Sequence, residues 1–237
     1  QILVSNVDGF LKLLNAAREN NVKKFVYASS SSVYGDNPTL PKTEENIGAP
    51  LSPYAATKLI DEIYAKNFGA TYGLKTIGLR YFNVFGPRQD PHGAYAAVIP
   101  KWIQQILDGQ EITINGDGTT SRDFCYIDNV VQANILAALS SNELASNQAF
   151  NVALNEQTNL NELANAIKEN LAEINPSIKA VETIYGNFRE GDIMHSLANI
   201  DKIQELLNYT PQVKFSEGIT KTVAWFNKHF QEKGHQQ

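Results

Sequence analysis

Two apolar patterns recur along this chain. Residues 22–29, with Phe25-Val26-Tyr27-Ala28 at their centre, and residues 75–82 are apolar at most positions without alternation. That is the pattern of strands buried on both faces of a parallel sheet. Elsewhere the apolar positions recur at helical spacing: Val7, Phe10, Leu11, Leu13 and Leu14 within residues 4–20, and Ile60, Ile63, Tyr64 and Phe68 within residues 54–72. Such stripes predict helices laid on a core. Asn20-Asn21 stops the first, and Gly73 suits the end of the second.

Beyond Gly86-Pro87-Arg88 the elements shorten. Residues 90–95 read as a loop, and residues 96–108 as a helix with Pro100 in its first turn. Strands are predicted at 112–115, 122–127, 150–153 and 180–184. Helices are predicted at 128–140, capped by Asp128, and at 158–174, capped by Thr158 with Glu162 nearby. Two more helices follow at 200–207 and 216–230, and residues 41–50 form a polar loop without periodicity. Strands alternating with helices predict an α/β protein with a parallel sheet.

The candidate chemistry sits where the first strand ends. Ser29-Ser30-Ser31-Ser32 follows the apolar run directly, at the end of the strand where open α/β sheets bind ligands. Tyr54-Ala55-Ala56-Thr57-Lys58 opens the next helix, and spacing i, i+4 puts a phenol and an ammonium on one face. A phenol is a poor base at its ordinary pKa of about 10. A neighbouring cation favours the phenolate, and a lowered pKa suits a general base. Serine hydroxyls can orient a substrate hydroxyl and pass its proton. A Tyr-x-x-x-Lys pair alone is commonplace on surface helices, and a serine run alone is often a polar turn. The order of strand, serine cluster, loop, Ser52-Pro53-Tyr54 and Lys58 marks Ser30, Ser31, Ser32, Tyr54 and Lys58 as catalytic candidates. Asn83 follows the second strand directly, again at a carboxyl end.

Composition narrows the setting. At 237 residues, with 43% hydrophobic and 19% charged residues, the chain can bury a sizeable core. It holds no apolar run long enough to span a membrane. A net charge of −5 argues against a general nucleic-acid surface, which needs a basic one. It leaves room for one phosphate-bearing ligand held by a few arginines. The single cysteine, Cys125, excludes an internal disulfide framework and fits a reducing cytoplasm. Beside Phe124 it reads as a buried structural thiol. His92, His195, His229 and His235 lack metal-ligand spacing, so no metal is expected.

Four stretches, SSSSVYGD from Ser29, SPYAATK from Ser52, LRYFNVFG from Leu79 and SRDFCYIDNV from Ser121, together resemble the extended short-chain dehydrogenase/reductases. The resemblance is to the nucleotide-sugar epimerases and dehydratases, and within them to the bacterial UDP-N-acetylglucosamine 4-epimerases. It covers nearly the whole chain. It implies a doubly wound, Rossmann-like parallel sheet in residues 1–90 and a smaller mixed α/β substrate lobe in residues 91–237, with segments returning to the sheet. The family's glycine-rich dinucleotide turn is not found here. The chain is therefore read as a carboxyl-terminal part, incomplete at the amino terminus and expected to bind a dinucleotide poorly.

The resemblance also implies NAD as cofactor, with Tyr54, Lys58, Tyr81 and Phe82 against it, although Tyr81 and Phe82 also read as core aromatics. It implies a UDP-sugar substrate near Ser30, Ser31, Tyr54 and Asn83. Arg122 and Arg189 would clamp its diphosphate, a role that suits the planar arginine fork, and Asp192 would contact its ribose. From the residues alone, surface pairs of these arginines with Asp123 and Asp192 would be favoured instead. Ser196 aligns with a position that bears a bulky tyrosine in some UDP-galactose 4-epimerases. A small residue there leaves room for an N-acetyl group, with Ala97 lining the same pocket. A cytoplasmic homodimer through a helical bundle of residues 4–20 and 54–72 is implied as well.

The implied reaction is reversible 4-epimerisation through a 4-keto sugar. Dehydratases of the family carry an acidic pair beside the serine or threonine, and decarboxylases a glutamate. Here Ser30-Ser31-Ser32-Val33 brings no carboxylate before Asp36, which favours an epimerase. Another nucleotide-sugar modifying enzyme (a UDP-uronate 4-epimerase, a 4,6-dehydratase or a decarboxylase) and a catalytically inactive nucleotide-sugar-binding fragment are the alternatives.

Overall fold

The computed structural model describes residues 2–92, 97–176, 178, 181–188 and 193–234. The chain is α/β and forms two compact units. Unit 1 comprises Gln1–Phe82, Asp128–Asn155 and Leu197–Gln212, and unit 2 comprises Asn83–Ile127, Glu156–Ser196 and Val213–Gln237.

In chain order the helices are α1 (Gly9–Glu19), α2 (Pro53–Tyr72), α3 (Val98–Leu107), α4 (Ile127–Leu139), α5 (Leu160–Ile174), α6 (Asp201–Leu207) and α7 (Phe215–Gly234). The strands are β1 (Lys24–Ser30), β2 (Lys75–Tyr81), β3 (Val84–Phe85), β4 (Ile112–Asn115), β5 (Ser121–Arg122), β6 (Cys125–Tyr126), β7 (Gln148–Val152), β8 (Thr158–Asn159) and β9 (Thr183–Gly186).

Unit 1 is Rossmann-like. Its sheet runs β1-β2-β7, all parallel, with Ser29 beside Arg80 and Ser30 beside Tyr81. The central strand β2 buries Ile77 and Leu79, as expected of a strand covered on both faces. Leu14 and Ala17 of α1 pack with Leu74, flanked by Phe10, Phe25 and Phe68. The stripe on the first helix is narrower than its spacing suggests. Leu14 is fully buried while Leu13 is 60% exposed, and Val4–Asp8 winds as a π-helical turn that leaves Val4 outside the core. Ser52 caps α2 by accepting from the Ala55 N–H at 3.1 Å, and Pro53 occupies the first turn. Gly73 ends it at φ 71°, the left-handed conformation that glycine adopts without strain.

Unit 2 packs α3, α5 and α7 around short strand pairs, with Phe85, Ile103, Ile112, Phe124, Ile167 and Leu171 in one core. β3 pairs with β6 and β4 with β9, both parallel, while β5 pairs antiparallel with β8. The strand expected at 122–127 is therefore two pieces, because the partner changes at Asp123. Thr158 lies in β8, and the cap of α5 falls to Asn159. Its side chain accepts from the Glu162 N–H at 2.8 Å while Glu162 accepts from the Asn159 N–H at 2.8 Å, a reciprocal capping box. Asp128 sits in the first turn of α4 and not at its cap, where its charge still suits the helix dipole. β9 begins at Thr183, and Ala180 of the expected strand lies outside the described residues. Cys125 is buried as expected.

Candidate active site

β1 delivers the serines of unit 1. After Ser30 the chain tightens into a 3₁₀ turn over Ser31–Tyr34, and the Ser30 hydroxyl caps it by accepting from the Ser32 N–H at 3.2 Å. The Ser32 Oγ is buried with no hydrogen-bond partner among the described residues. A buried orphan hydroxyl is costly unless something else engages it. Tyr34 closes the turn, fully buried, donating to Asn151 Oδ1 at 2.6 Å. Burial pushes its phenol up to about 12 against the pull of Arg80.

α2 brings the second group. Tyr54 stands in its first turn with 41% of its surface exposed, so the phenol is available to a ligand. Thr57 ties the turn by donating to the Tyr54 carbonyl at 2.8 Å and accepting from Asn6 Nδ2 at 3.0 Å. Lys58 Nζ donates to the carbonyl of Ala28 at 3.0 Å and lies 3.4 Å from Asp61 Oδ2. The ammonium is thus fastened to β1 as well as placed one turn from Tyr54, a link that helical spacing alone does not reveal. Burial raises the Asp61 carboxyl to about 6, with Lys58 pulling it down and Glu62 pushing it up.

At the end of β2, Tyr81 is half-buried and donates to Asn134 Oδ1 at 3.1 Å. Burial raises its phenol, and the Asn134 bond offsets part of that rise. Phe82 is fully buried, with its ring centroid 5.9 Å from that of Tyr34, and serves as a core aromatic.

Unit 2 holds a separate constellation. Asn83 takes a positive φ of 27° and donates through Nδ2 to the Asp123 carbonyl at 3.2 Å. It lines a cavity of about 270 Å³ together with Arg122, Lys101, Asn115, Trp102 and Phe124. Arg122 Nη1 donates to the carbonyls of Ser121 at 2.9 Å and Met194 at 3.3 Å, which aims the guanidinium. Asp123 is fully buried. Two cations, two amides and two aromatic rings suit a ring-bearing phosphate ester. Sequence reasoning missed Lys101 and Asn115, which no local motif announces. Ser196 pairs with Ser121 through its N–H at 3.0 Å, and Ala97 is the exposed residue before α3. Neither is among the residues lining this cavity. Arg189 and Asp192 lie outside the described residues.

A serine turn at the end of a parallel strand, with tyrosine and lysine one turn apart on the next helix, defines a short-chain dehydrogenase/reductase. The family model "NAD dependent epimerase/dehydratase family" matches residues 1–153, and the chain belongs to that family. Among solved structures, it is similar to a UDP-N-acetylglucosamine 4-epimerase from Methanobrevibacter ruminantium M1 in complex with UDP-N-acetylmuramic acid. That likeness has 43% identity and a TM-score of 0.88, and covers 96% of this chain and 70% of that one. A UDP-glucose 4-epimerase from Thermotoga maritima with UDP-glucose matches at 37% identity and TM-score 0.88, covering 96% and 71%. A UDP-glucuronic acid 4-epimerase from Bacillus cereus, in complex with UDP-glucuronic acid and NAD, matches at 30% identity and TM-score 0.83, covering 96% and 68%.

The residues at the end of β1 fit a sugar beside the reacting end of that family's cofactor, while the glycine-rich dinucleotide turn is not found in this sequence. Unit 1 offers a buried hydroxyl on Ser32 without a partner among the described residues, an exposed phenol on Tyr54 and an ammonium on Lys58 at the carboxyl end of β1. Bound NAD supplies hydride acceptance and return.

Proposed function

We propose that this chain catalyses reversible 4-epimerisation of a UDP-sugar, with UDP-N-acetylglucosamine and UDP-N-acetylgalactosamine as the pair. The observation that carries the proposal is the fastening of Lys58 to the Ala28 carbonyl beside the serine turn, one helical turn from an exposed Tyr54. Tyr54 removes the proton of the C4 hydroxyl and returns it after the sugar has turned over. Lys58 holds a positive charge one helical turn from the phenol. Ser30, Ser31 and Ser32 orient the C4 hydroxyl, Ser32 with an Oγ that has no partner among the described residues. In unit 2, Asn83, Arg122 and Lys101 bind the diphosphate. Arg189 and Asp192 complete the nucleotide contacts.

Three points support an epimerase that accepts an N-acetyl group. Ser30, Ser31 and Ser32 have no carboxylate beside them in the sequence before Asp36, the position where dehydratases and decarboxylases of the family carry one. Ser196 and Ala97 are small. The likeness to the Methanobrevibacter enzyme is the highest in identity of the three described. Exposed apolar side chains on the first two helices, among them Leu13 at 60%, Ile63 at 51% and Tyr72 at 52%, suit a homodimer through a helical bundle. Among the described residues, no helix is long and apolar enough to cross a membrane. Work in the cytoplasm accords with the lone buried thiol.

The test incubates the full chain, loaded with NAD, with UDP-N-acetylglucosamine, UDP-glucose and UDP-glucuronate in turn, and resolves the 4-epimers by NMR. Conversion of the acetylated sugar, faster than of the other two, is expected. Bound NAD without any epimer would overturn the assignment, and preference for the uronate would reassign the substrate.

A further inference from the structure

Behind the serine turn lies a buried ion pair that the proposed chemistry does not use. Glu62 is one turn beyond Lys58 on α2, and Arg80 is the residue before Tyr81 on β2. Arg80 Nε donates to Glu62 Oε1 at 2.9 Å and Nη2 to Oε2 at 2.8 Å, a two-bond fork with both side chains at most 10% exposed. The same Glu62 Oε1 accepts from Ser29 Oγ at 2.5 Å. Arg80 Nη1 donates to Tyr34 Oη at 3.1 Å and to the Glu44 carbonyl at 2.9 Å. Burial works against the Arg80 charge, and the bonds to Glu62 outweigh it, so its pKa sits above the usual arginine value.

The pair therefore grips both ends of the serine turn. Ser29 stands immediately before Ser30, and Tyr34 is the last residue of the turn. It also grips the helix that carries Tyr54 and Lys58. A buried ion pair adds little net stability over apolar residues of the same size, so stability alone does not account for it. What a fork provides is orientation, because two parallel bonds fix an angle as well as a distance.

We propose that Glu62 and Arg80 are positioning residues that hold the serine turn and the Tyr54–Lys58 helix in the alignment proton transfer requires. The inference rests on the role given above to Tyr54. Without the fork, α2 can shift against β1, and Lys58 with it. A misplacement of about 1 Å can cost on the order of 10²-fold in rate. A displaced Lys58 also carries its charge away from the Tyr54 phenol.

The experiment compares wild type, Glu62→Gln and Ser29→Ala as full chain saturated with NAD, normalising turnover to folded protein. For Glu62→Gln, kcat should fall roughly 10- to 100-fold with KM for the UDP-sugar within about twofold. The pH dependence of kcat/KM should change as well. Ser29→Ala keeps the Glu62–Arg80 fork and removes one bond, and should lower kcat by about 3- to 10-fold; it decides the matter if Glu62→Gln does not fold. A lower melting temperature with unchanged kcat and unchanged pH profile would overturn the inference. If Tyr54→Phe abolishes turnover while Glu62→Gln and Ser29→Ala leave it unchanged, only this inference fails. If Tyr54→Phe retains turnover, the proposed mechanism fails first.

Discussion

Lys58 Nζ lies 3.0 Å from the carbonyl oxygen of Ala28, two residues before Ser30. One hydrogen bond thus ties the helix that carries the phenol to the strand that carries the serines. The ammonium has two jobs in this arrangement, charge and anchor, and a substitution removes both. Lys58→Met should lower kcat on the order of 10²-fold or more. Lys58→Arg should not restore it, because a planar fork cannot replace a compact point charge at that carbonyl. Steady-state kinetics of the two variants checks this, and activity near wild type in Lys58→Arg would contradict it.

Asp61 makes stability depend on pH. Its carboxyl rises from 3.8 to about 6 on folding, chiefly through burial. Between those values the folded chain holds a proton that the unfolded chain has released, so stability falls as pH rises through the window. Below the window Asp61 is neutral in both states and costs nothing. Asp61→Asn removes the dependence. Its melting temperature relative to wild type should be higher at about pH 7.5 than at about pH 4. A difference that stays flat across this range would show that Asp61 is not the group responsible.

Arg122 should matter to binding and little to folding. Its guanidinium is aimed by the carbonyls of Ser121 and Met194 and borders the cavity lined by Asn83 and Lys101. Hydrogen bonds to charged groups contribute about 1.5–3 kcal/mol, so Arg122→Met should weaken UDP roughly 10- to 100-fold. Calorimetric titration with UDP at two salt concentrations measures this. An unchanged Kd would remove Arg122 from the diphosphate site.

Much of unit 1 was legible because its signals are local. Closely spaced apolar residues mark β2, whose Ile77 and Leu79 are buried, and Ser52, Pro53 and Gly73 bracket α2. The serine turn, Tyr54 and Lys58 lie within 29 residues of chain, and regular strand and helix geometry fixes much of their placement. Contacts made across long separations were not legible. The break at Asp123 comes from a change of strand partner, and Asn159 takes the cap from Thr158 because Glu162 can reciprocate there. Lys101 and Asn115 reach the cavity of unit 2 without any pattern in their neighbourhoods. The Glu62–Arg80 fork joins residues that read, one by one, as an ordinary helix glutamate and a polar residue in an apolar strand.

The assignment of Tyr54 as the base that moves the C4 proton bears most of the account. The direct measurement is the initial rate of UDP-N-acetylglucosamine 4-epimerisation by wild type and Tyr54→Phe, each as full chain saturated with NAD. Because the Tyr54 side chain is 41% exposed, the substitution should leave the melting temperature within about 1 °C of wild type. The rate should fall by on the order of 10²- to 10⁴-fold, the usual contribution of a positioned acid or base, with KM little changed. A Tyr54→Phe protein that is folded, holds NAD and epimerises the sugar at the wild-type rate would contradict the account.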